Sequence, residues 1–458
     1  MNHIIKEKSF YINVAAIAIP ITLQSLITIG VNMTDTMMVG SLGEMQLSAA
    51  SLANQFIMIF QICCMGIGMG ASVLTSRFWG MQDLVSLRKS VSIMLRICIL
   101  FSLVFSLATF LAPEAIMGIY TTDPTIIQYG AQYFKWSVPC YALLGLSLTS
   151  TIVLRSVGQV KLPLFSSIGA FLINIFFNYL FIFGNFGAPQ MGIEGSALST
   201  LIARVFEFTF ICGYLFVIDQ KIRFRIKHLF MQCRDISKEY FRVAIPVLVS
   251  DALLAFGNSA VAMVIGRLGV SFVSANAITM VTQQLSTVFI QGTANASAII
   301  TGHTLGRGDQ KRAQQQGVTF LYLGVAIGVL GAVIIWLISS PMISFYNISE
   351  ETRQLTYQLM LAVGFIVIFQ STNSILTKGV LRGGGDTQFL MVADIIFLWV
   401  ASIPLGALAG LVWHLPAFWI YTLLKVDQII KCGWCIYRLW SKKWIKKIVP
   451  YPLPENRG

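Results

Sequence analysis

Charge is what this chain has least of. Only 11% of its residues are Asp, Glu, Lys or Arg, while 56% are hydrophobic. Soluble domains carry roughly 25% charge, so an ordinary water-soluble fold is excluded. Histidine is rarer still, limited to His3, His228, His303 and His414. These fall in loops or at helix ends with no H-E-x-x-H pair, which argues against a membrane-embedded enzyme. A nucleotide-driven pump is not expected either. Gly66, Gly68 and Gly70 lie inside an apolar run, where they suit close helix contact. Gly383, Gly384 and Gly385 lack the Lys-Ser/Thr of a phosphate loop and predict, with Asp386, a tight cytoplasmic turn. The eight cysteines sit mostly in apolar segments. Cys432 and Cys435 form one C-x-x-C without a second pair and read as packing residues, not a metal or redox site.

Long apolar runs, by contrast, are abundant. A helix needs about 20 residues to cross a hydrocarbon core of about 30 Å. Twelve such stretches occur, in the windows 10–38, 46–75, 90–112, 125–153, 160–184, 192–217, 242–265, 272–301, 313–339, 353–378, 387–410 and 415–438. The fold class expected is an all-α membrane protein of twelve transmembrane helices. Lys6 and Lys8 before the first run suggest a signal peptide, but the segment is too long, carries Gln24 and Asp35, and lacks a small-residue cleavage site. Most Lys and Arg fall on the side that holds both termini. Arg267 and Arg353 fall on the other, beside Glu44, Glu114, Asp123, Glu194, Glu350 and Glu351. The positive-inside rule then places both termini in the cytoplasm, for a protein of a bacterial-type cytoplasmic (inner) membrane. The net charge of +13 is a consequence of topology, and no nucleic-acid partner is expected.

The chain also repeats itself. Gly40, Leu42, Gly43 and Ala49 recur as Gly266, Leu268, Gly269 and Ala275, and Gly66, Thr75, Gly80 and Asp83 recur at the same offset as Gly292, Thr301, Gly306 and Asp309. Leu154, Arg155 and Gly158 return, with a slip of one, as Leu381, Arg382 and Gly385. Six helices per copy is an even number, so both copies enter from one side. Two six-helix lobes related by a pseudo-twofold along the membrane normal follow. The division expected is 1–218 for the N-terminal lobe, 219–241 for a basic cytoplasmic linker, 242–440 for the C-terminal lobe and 441–458 for a cytoplasmic tail. Lys221, Arg223, Arg225, Lys227, Arg234, Lys238 and Arg242 in and beside the linker enforce topology and suit anionic headgroups. Trp444, flanked by lysines, suggests an interfacial anchor. Pro20 and Pro246 are repeat mates inside the first helix of each half and are hinge candidates.

The segments IPITLQSLITIGVNMTDTMMVGSLGEMQLSAAS, GASVLTSRFWGMQD and LRSVGQVKLP in the first half resemble the multidrug and toxic compound extrusion (MATE) family. So do IPVLVSDALLAFGNSAVAMVIGRLGV, GTANASAIITGHTLGRGD and KGVLRGGGDTQF in the second half, and the resemblance runs from about residue 15 to 440. It implies a twelve-helix antiporter that expels drugs and toxins, often lipophilic cations, in exchange for Na⁺ or H⁺. No further cofactor is expected. A monomer surrounded by membrane lipid is.

A charge at mid-membrane costs at least about 2.5–3.5 kcal/mol, which makes intramembrane acids candidates for function. Asp35, Asp251, Asp394 and Asp427 stand out. Asp35 lies in the outer part of helix 1, Asn174 and Asn178 share one face of helix 5, and Thr200 lies about 12 Å into helix 6. A carboxylate, two amide oxygens and a hydroxyl suit Na⁺, and the carboxylate alone suits a proton. The family resemblance places a cation site of this makeup on the matching helices. Arg204 and Glu207 are spaced to pair on one face. In the second lobe Asp251, Gln283, Gln284 and Asp394 are candidates for substrate or cation contact, with Asp427 close to Lys425 and Lys431. Some family members carry an aspartate on helix 10 upstream of the LRG turn, and Ser371 stands there in this chain. The alternative function is a lipid-linked oligosaccharide flippase of the same superfamily. That reading needs a basic cavity, for which Arg96, Lys135 and Arg204 are the residues to inspect.

Overall fold

A computed structural model describes residues 4–344, 346 and 348–446. His3 and the tail from Lys447 lie outside the described residues. Helices follow in the order α1 Lys8–Gly40, α2 Glu44–Met81, α3 Leu84–Leu111, α4 Pro113–Tyr120, α5 Pro124–Ser156, α6 Lys161–Phe183 and α7 Ile193–Gly213. The second half continues with α8 Arg234–Gly266, α9 Val270–Gly306, α10 Gln310–Ser344, α11 Glu350–Ser374, α12 Thr387–Ile395, α13 Ile403–Ala407, α14 Ala417–Leu424 and α15 Val426–Trp440. No strand occurs among the described residues.

Every apolar window read in the sequence is occupied by helix. Wide π turns at Ile375–Leu381, Ile396–Ser402 and Leu408–Val412 prolong α11, α12 and α13. Ten of the described segments are long and apolar enough to cross a membrane. Two of the expected windows fall outside that set for visible reasons. The α9 helix carries Gln283, Gln284, Gln291 and Asn295 along its length. The last window is broken at Lys425 into helices of 8 and 15 residues. Leu100, Leu103, Val104, Leu107 and Phe110 on α3 are all exposed. That stripe at helical spacing presents a hydrocarbon surface, as a membrane helix must.

The chain forms two compact units. The first unit comprises Leu23–Thr75 and Asp83–Leu248, and the second comprises the chain up to Thr22, Ser76–Gln82, and the chain from Val249 onward. These units are cut differently from the lobes expected from sequence. The start of α1 packs with the second unit: Phe10, Val14 and Ala18 share a core with Val318, Phe320 and Leu321. The Ile5 amide also donates to Thr319 Oγ1 at 3.0 Å. Conversely, the start of α8 belongs to the first unit, where Tyr240 Oη donates to the Ile67 carbonyl at 3.1 Å. In both helices the boundary falls just past the proline, after Pro20 in α1 and after Pro246 in α8. The i, i+4, i+8 stripe of Phe10, Val14 and Ala18 is plain in the sequence. Which partner it meets is not.

Glycines set the closest helix approaches. In the first unit a Cβ on Gly66 would meet the Leu248 Cα at 2.9 Å, and one on Gly70 would meet the Ala244 Cα at 2.5 Å. In the second unit a Cβ on Gly80 would meet the Gly306 Cα at 2.9 Å, so this repeated pair lets two helix backbones touch. Gly80→Ala should therefore destabilise the protein by about 1–3 kcal/mol. Gly118→Ala, which enters open space, should be neutral. Thermal unfolding of the two purified variants against wild type checks this, and equal midpoints for Gly80→Ala and wild type would refute it.

The basic segment after α7 is folded onto the first unit. Arg88, Ser92 and Arg96 recur every fourth residue on α3 and hold its carbonyls. Arg88 Nε donates to Ile222 O at 2.8 Å, Ser92 Oγ to Leu229 O at 3.1 Å, and Arg96 Nε to Leu229 O at 2.6 Å. Asp219 accepts from the amides of Lys221, Ile222 and Arg223, and Lys89 pairs with Asp235 at 2.5 Å. In the second unit Trp444 is fully buried, with Nε1 donating to Gln314 Oε1 at 2.9 Å. It is a packing residue in place of the interfacial anchor expected.

Candidate functional site

Asp35 and the two asparagines meet in the first unit. Asn174 and Asn178 stand one turn apart on α6, facing α1, and both are buried. The Asn178 Nδ2 group donates to Asp35 Oδ1 and to Asn174 Oδ1, the latter at 3.2 Å. Both of its protons are thereby engaged. Its carbonyl Oδ1 is buried and has no hydrogen-bond partner among the described residues. A buried carbonyl left in this state is unfavourable and is a ready oxygen ligand for a hard cation or acceptor for a proton donor. Thr200 is partly exposed on α7, and no hydrogen bond joins it to the other three among the described residues. Two neighbours not singled out for this site also act on it. Arg204 and Tyr133 lie close enough to interact electrostatically with Asp35. Arg204 is balanced by Glu207 at 2.6 Å, as their spacing predicted, and Tyr133 Oη donates to Asn54 Oδ1 at 3.4 Å. Nothing in the spacing of Tyr133 distinguishes it from the many packing aromatics.

The repeat carries chemistry as well as packing. In the first unit Arg155 donates through Nη2 to Gln24 Oε1, and Gln24 Nε2 donates to Ser167 Oγ at 2.8 Å. In the second unit Arg382, the repeat mate of Arg155, pairs with Asp251 at 3.0 Å. Each arginine thus holds the first helix of its own half a turn beyond the proline.

The three candidate acids of the second unit, Asp251, Asp394 and Asp427, are each paired with a cation. Lys431 is 1% exposed and bridges Asp394 at 3.0 Å and Asp427 at 3.1 Å. Ser250 Oγ donates to the other oxygen of Asp394. Ser402 Oγ donates to Asp427 Oδ1 at 2.9 Å, and Gln428 Nε2 to Asp427 Oδ2 at 2.7 Å. The triad borders a cavity of about 490 Å³ whose lining includes Gln283, Gln284, Asp394, Asp427 and Lys431. Gln283 is tied to Gln370 at 2.8 Å and receives Tyr421 Oη at 3.3 Å, whereas Gln284 is exposed. Asp251 is absent from that lining; it pairs with Arg382, whereas Asp394 shares Lys431 with Asp427. Ser371 is buried, and its hydroxyl has no hydrogen-bond partner among the described residues.

The residues inspected for a flippase are committed elsewhere. Arg96 holds the linker and Arg204 pairs with Glu207. The Lys135 ammonium lies 5.9 Å from the ring centre of Trp136. Cys432 and Cys435 are free thiols buried in α15.

Comparison with known proteins agrees with this architecture. The MatE family model matches residues 20–180 and 246–408, one match in each half. A probable multidrug resistance protein NorM of Agrobacterium fabrum is 23% identical over 398 residues, covering 85% of each chain. Another, from Thermotoga maritima, is 23% identical over 439 residues, covering 94% of this chain and 93% of its own. Among solved structures, the Vibrio cholerae MATE transporter VcmN superposes with a TM-score of 0.86 at 15% identity, covering 94% of this chain and 97% of its own. The paired family matches, set on two helical halves of an integral membrane protein, place this chain in the MatE family, the multidrug and toxic compound extrusion transporters that its sequence resembles.

Proposed function

We propose that the chain is a cation-coupled multidrug antiporter that works by alternating access, with Asp35 carrying the coupling ion, Na⁺ or H⁺. The observation that carries this reading is the Asp35 carboxylate bonded to a buried asparagine pair whose carbonyl has no partner among the described residues. A carboxylate at membrane depth is costly, and an ion or proton that neutralises it lowers that cost. Occupancy would draw Asp35 away from the Asn178 amide, and α1, which contains Pro20, is the element that would respond. Coupling requires the two conformations to differ in ion affinity. A hinge at Pro20 and at its mate Pro246 supplies a bistable element, because a proline deletes a helical hydrogen bond at each point. Export of small drug-like or toxic molecules follows the names of the NorM relatives. Cytoplasmic termini, an inner-membrane location and a monomeric state complete the proposal.

The test uses purified protein in liposomes loaded with ethidium. A Na⁺ gradient and a pH gradient are imposed separately, and one of them is expected to accelerate efflux over the ungraded control. Efflux indifferent to both gradients would exclude coupling.

A further inference from the structure

We infer that the cavity of the second unit is a binding site for an amphipathic organic anion. Its charges do not balance toward a cation. Four basic residues line it, Lys378, Arg382, Lys425 and Lys431, against two acids, Asp394 and Asp427. Arg382 is paired with Asp251, and Lys431 is shared by both lining acids. All four carboxylate oxygens of Asp394 and Asp427 are already met by Lys431, Ser250, Ser402 or Gln428. They have little left to offer a cationic guest.

Two ammonium groups remain. Lys425 sits at the break between α14 and α15, and Lys378 on the wide turn that prolongs α11. Neither has a carboxylate within ion-pair distance among the described residues, and the Lys425 Nζ bonds Asn258 Oδ1 at 3.2 Å. Wide turns of this kind often mark functional positions, because the extra residue re-aims side chains. Cations lining a cavity with no carboxylate at ion-pair distance favour a negative guest.

The rest of the lining sets the remaining chemistry. Asn373 is buried, gives its Nδ2 to Gln428 Oε1 at 2.8 Å, and keeps an Oδ1 with no hydrogen-bond partner among the described residues. That carbonyl calls for a donor on the ligand. Leu254, Met280 and Leu390 supply an apolar wall. The volume of about 490 Å³ falls within the range of about 300–1,000 Å³ of small-molecule sites. The ligand is therefore an apolar body bearing a carboxylate or a comparable anionic group and a hydrogen-bond donor. A free organic anion and an acidic lipid headgroup share that chemistry. The inference concerns ligand charge and does not rest on Asp35.

Two xanthene dyes of similar size and opposite charge, fluorescein and rhodamine 6G, test it by fluorescence polarisation on the full-length protein in nanodiscs. Lys425→Gln is expected to weaken fluorescein binding roughly tenfold or more, the worth of a charge-assisted hydrogen bond. Lys425→Arg should restore it, and rhodamine 6G should lose nothing. Lys378→Gln should also weaken fluorescein. Nanodiscs containing phosphatidylglycerol compete with fluorescein if the natural occupant is a headgroup and leave it unaffected if it is a free anion. Fluorescein binding indifferent to both lysine variants, or an equal loss of both dyes, overturns the inference. Unchanged thermal midpoints for the variants exclude misfolding as the cause.

Discussion

Asp35→Asn is expected to remove gradient-driven efflux while leaving the protein folded. The side chain that replaces the carboxylate is isosteric and can still meet the Asn178 amide through its own oxygen, so the Asp35–Asn178–Asn174 arrangement survives. What is lost is the negative charge, and with it any difference in affinity for Na⁺ or H⁺ between the two conformations. A ligand bound equally by both states shifts nothing, however tightly it binds. Stimulation of efflux by the gradient should fall by roughly 5- to 150-fold, the span of ordinary coupling free energies of about 1–3 kcal/mol. Drug efflux from proteoliposomes under each gradient measures it, and undiminished stimulation would eliminate the mechanism. Asn178→Ala separates the two ions. It removes the unpartnered carbonyl, a ligand that a Na⁺ ion would need and that a proton, held covalently on the Asp35 carboxylate, does not require. Na⁺-driven efflux should therefore fall in this variant, and H⁺-driven efflux should persist.

Lys431→Met should be the most destabilising single replacement among the charged residues of the second unit. Lys431 is the one cation bridging Asp394 and Asp427 among the described residues, and these acids are themselves 8% and 1% exposed. Its loss leaves two carboxylates facing each other in an apolar interior, and breaking a buried ion pair in this way costs about 3–5 kcal/mol. The diagnostic result is the rescue. Adding Asp394→Asn and Asp427→Asn to Lys431→Met removes all three charges and keeps the hydrogen bonds from Ser250 and Ser402 available. Stability should return most of the way to wild type. The readout is the thermal midpoint of the purified protein in detergent, and a triple variant no better than Lys431→Met alone would show that shape, not charge, holds the cluster together.

The residues themselves explain which features were legible beforehand. Asp427 and Lys431 are one turn apart, so their pairing could be read from spacing alone. Asn174 with Asn178, and Arg204 with Glu207, were readable in the same way. Asp394 reaches the same lysine from α12, and no local rule brings those two helices together. Arg96 was a candidate for a basic cavity, yet it spends its donors on the linker carbonyls. The linker's unpaired carbonyls, which have no side-chain signature, decide that outcome. Trp444 looked interfacial from its lysine neighbours, but Gln314 on a distant helix gave its indole a buried partner.

By itself the amino-acid sequence determined the helices, the duplication, and the identity of the acids inside the apolar helices. These depend on local periodicity, on a repeated text and on the cost of placing charge in hydrocarbon, all of which are properties of residues in order. Tertiary structure alone decided which charges are spent and which remain. It assigned the start of α1 to the second unit, enclosed Asp394 and Asp427 around Lys431, and left Lys378 and Lys425 facing a cavity without a carboxylate within ion-pair distance among the described residues. Electrostatic balance in a low-dielectric interior is a matter of a few ångströms between side chains far apart in the chain, and no pattern along one strand of text encodes that distance.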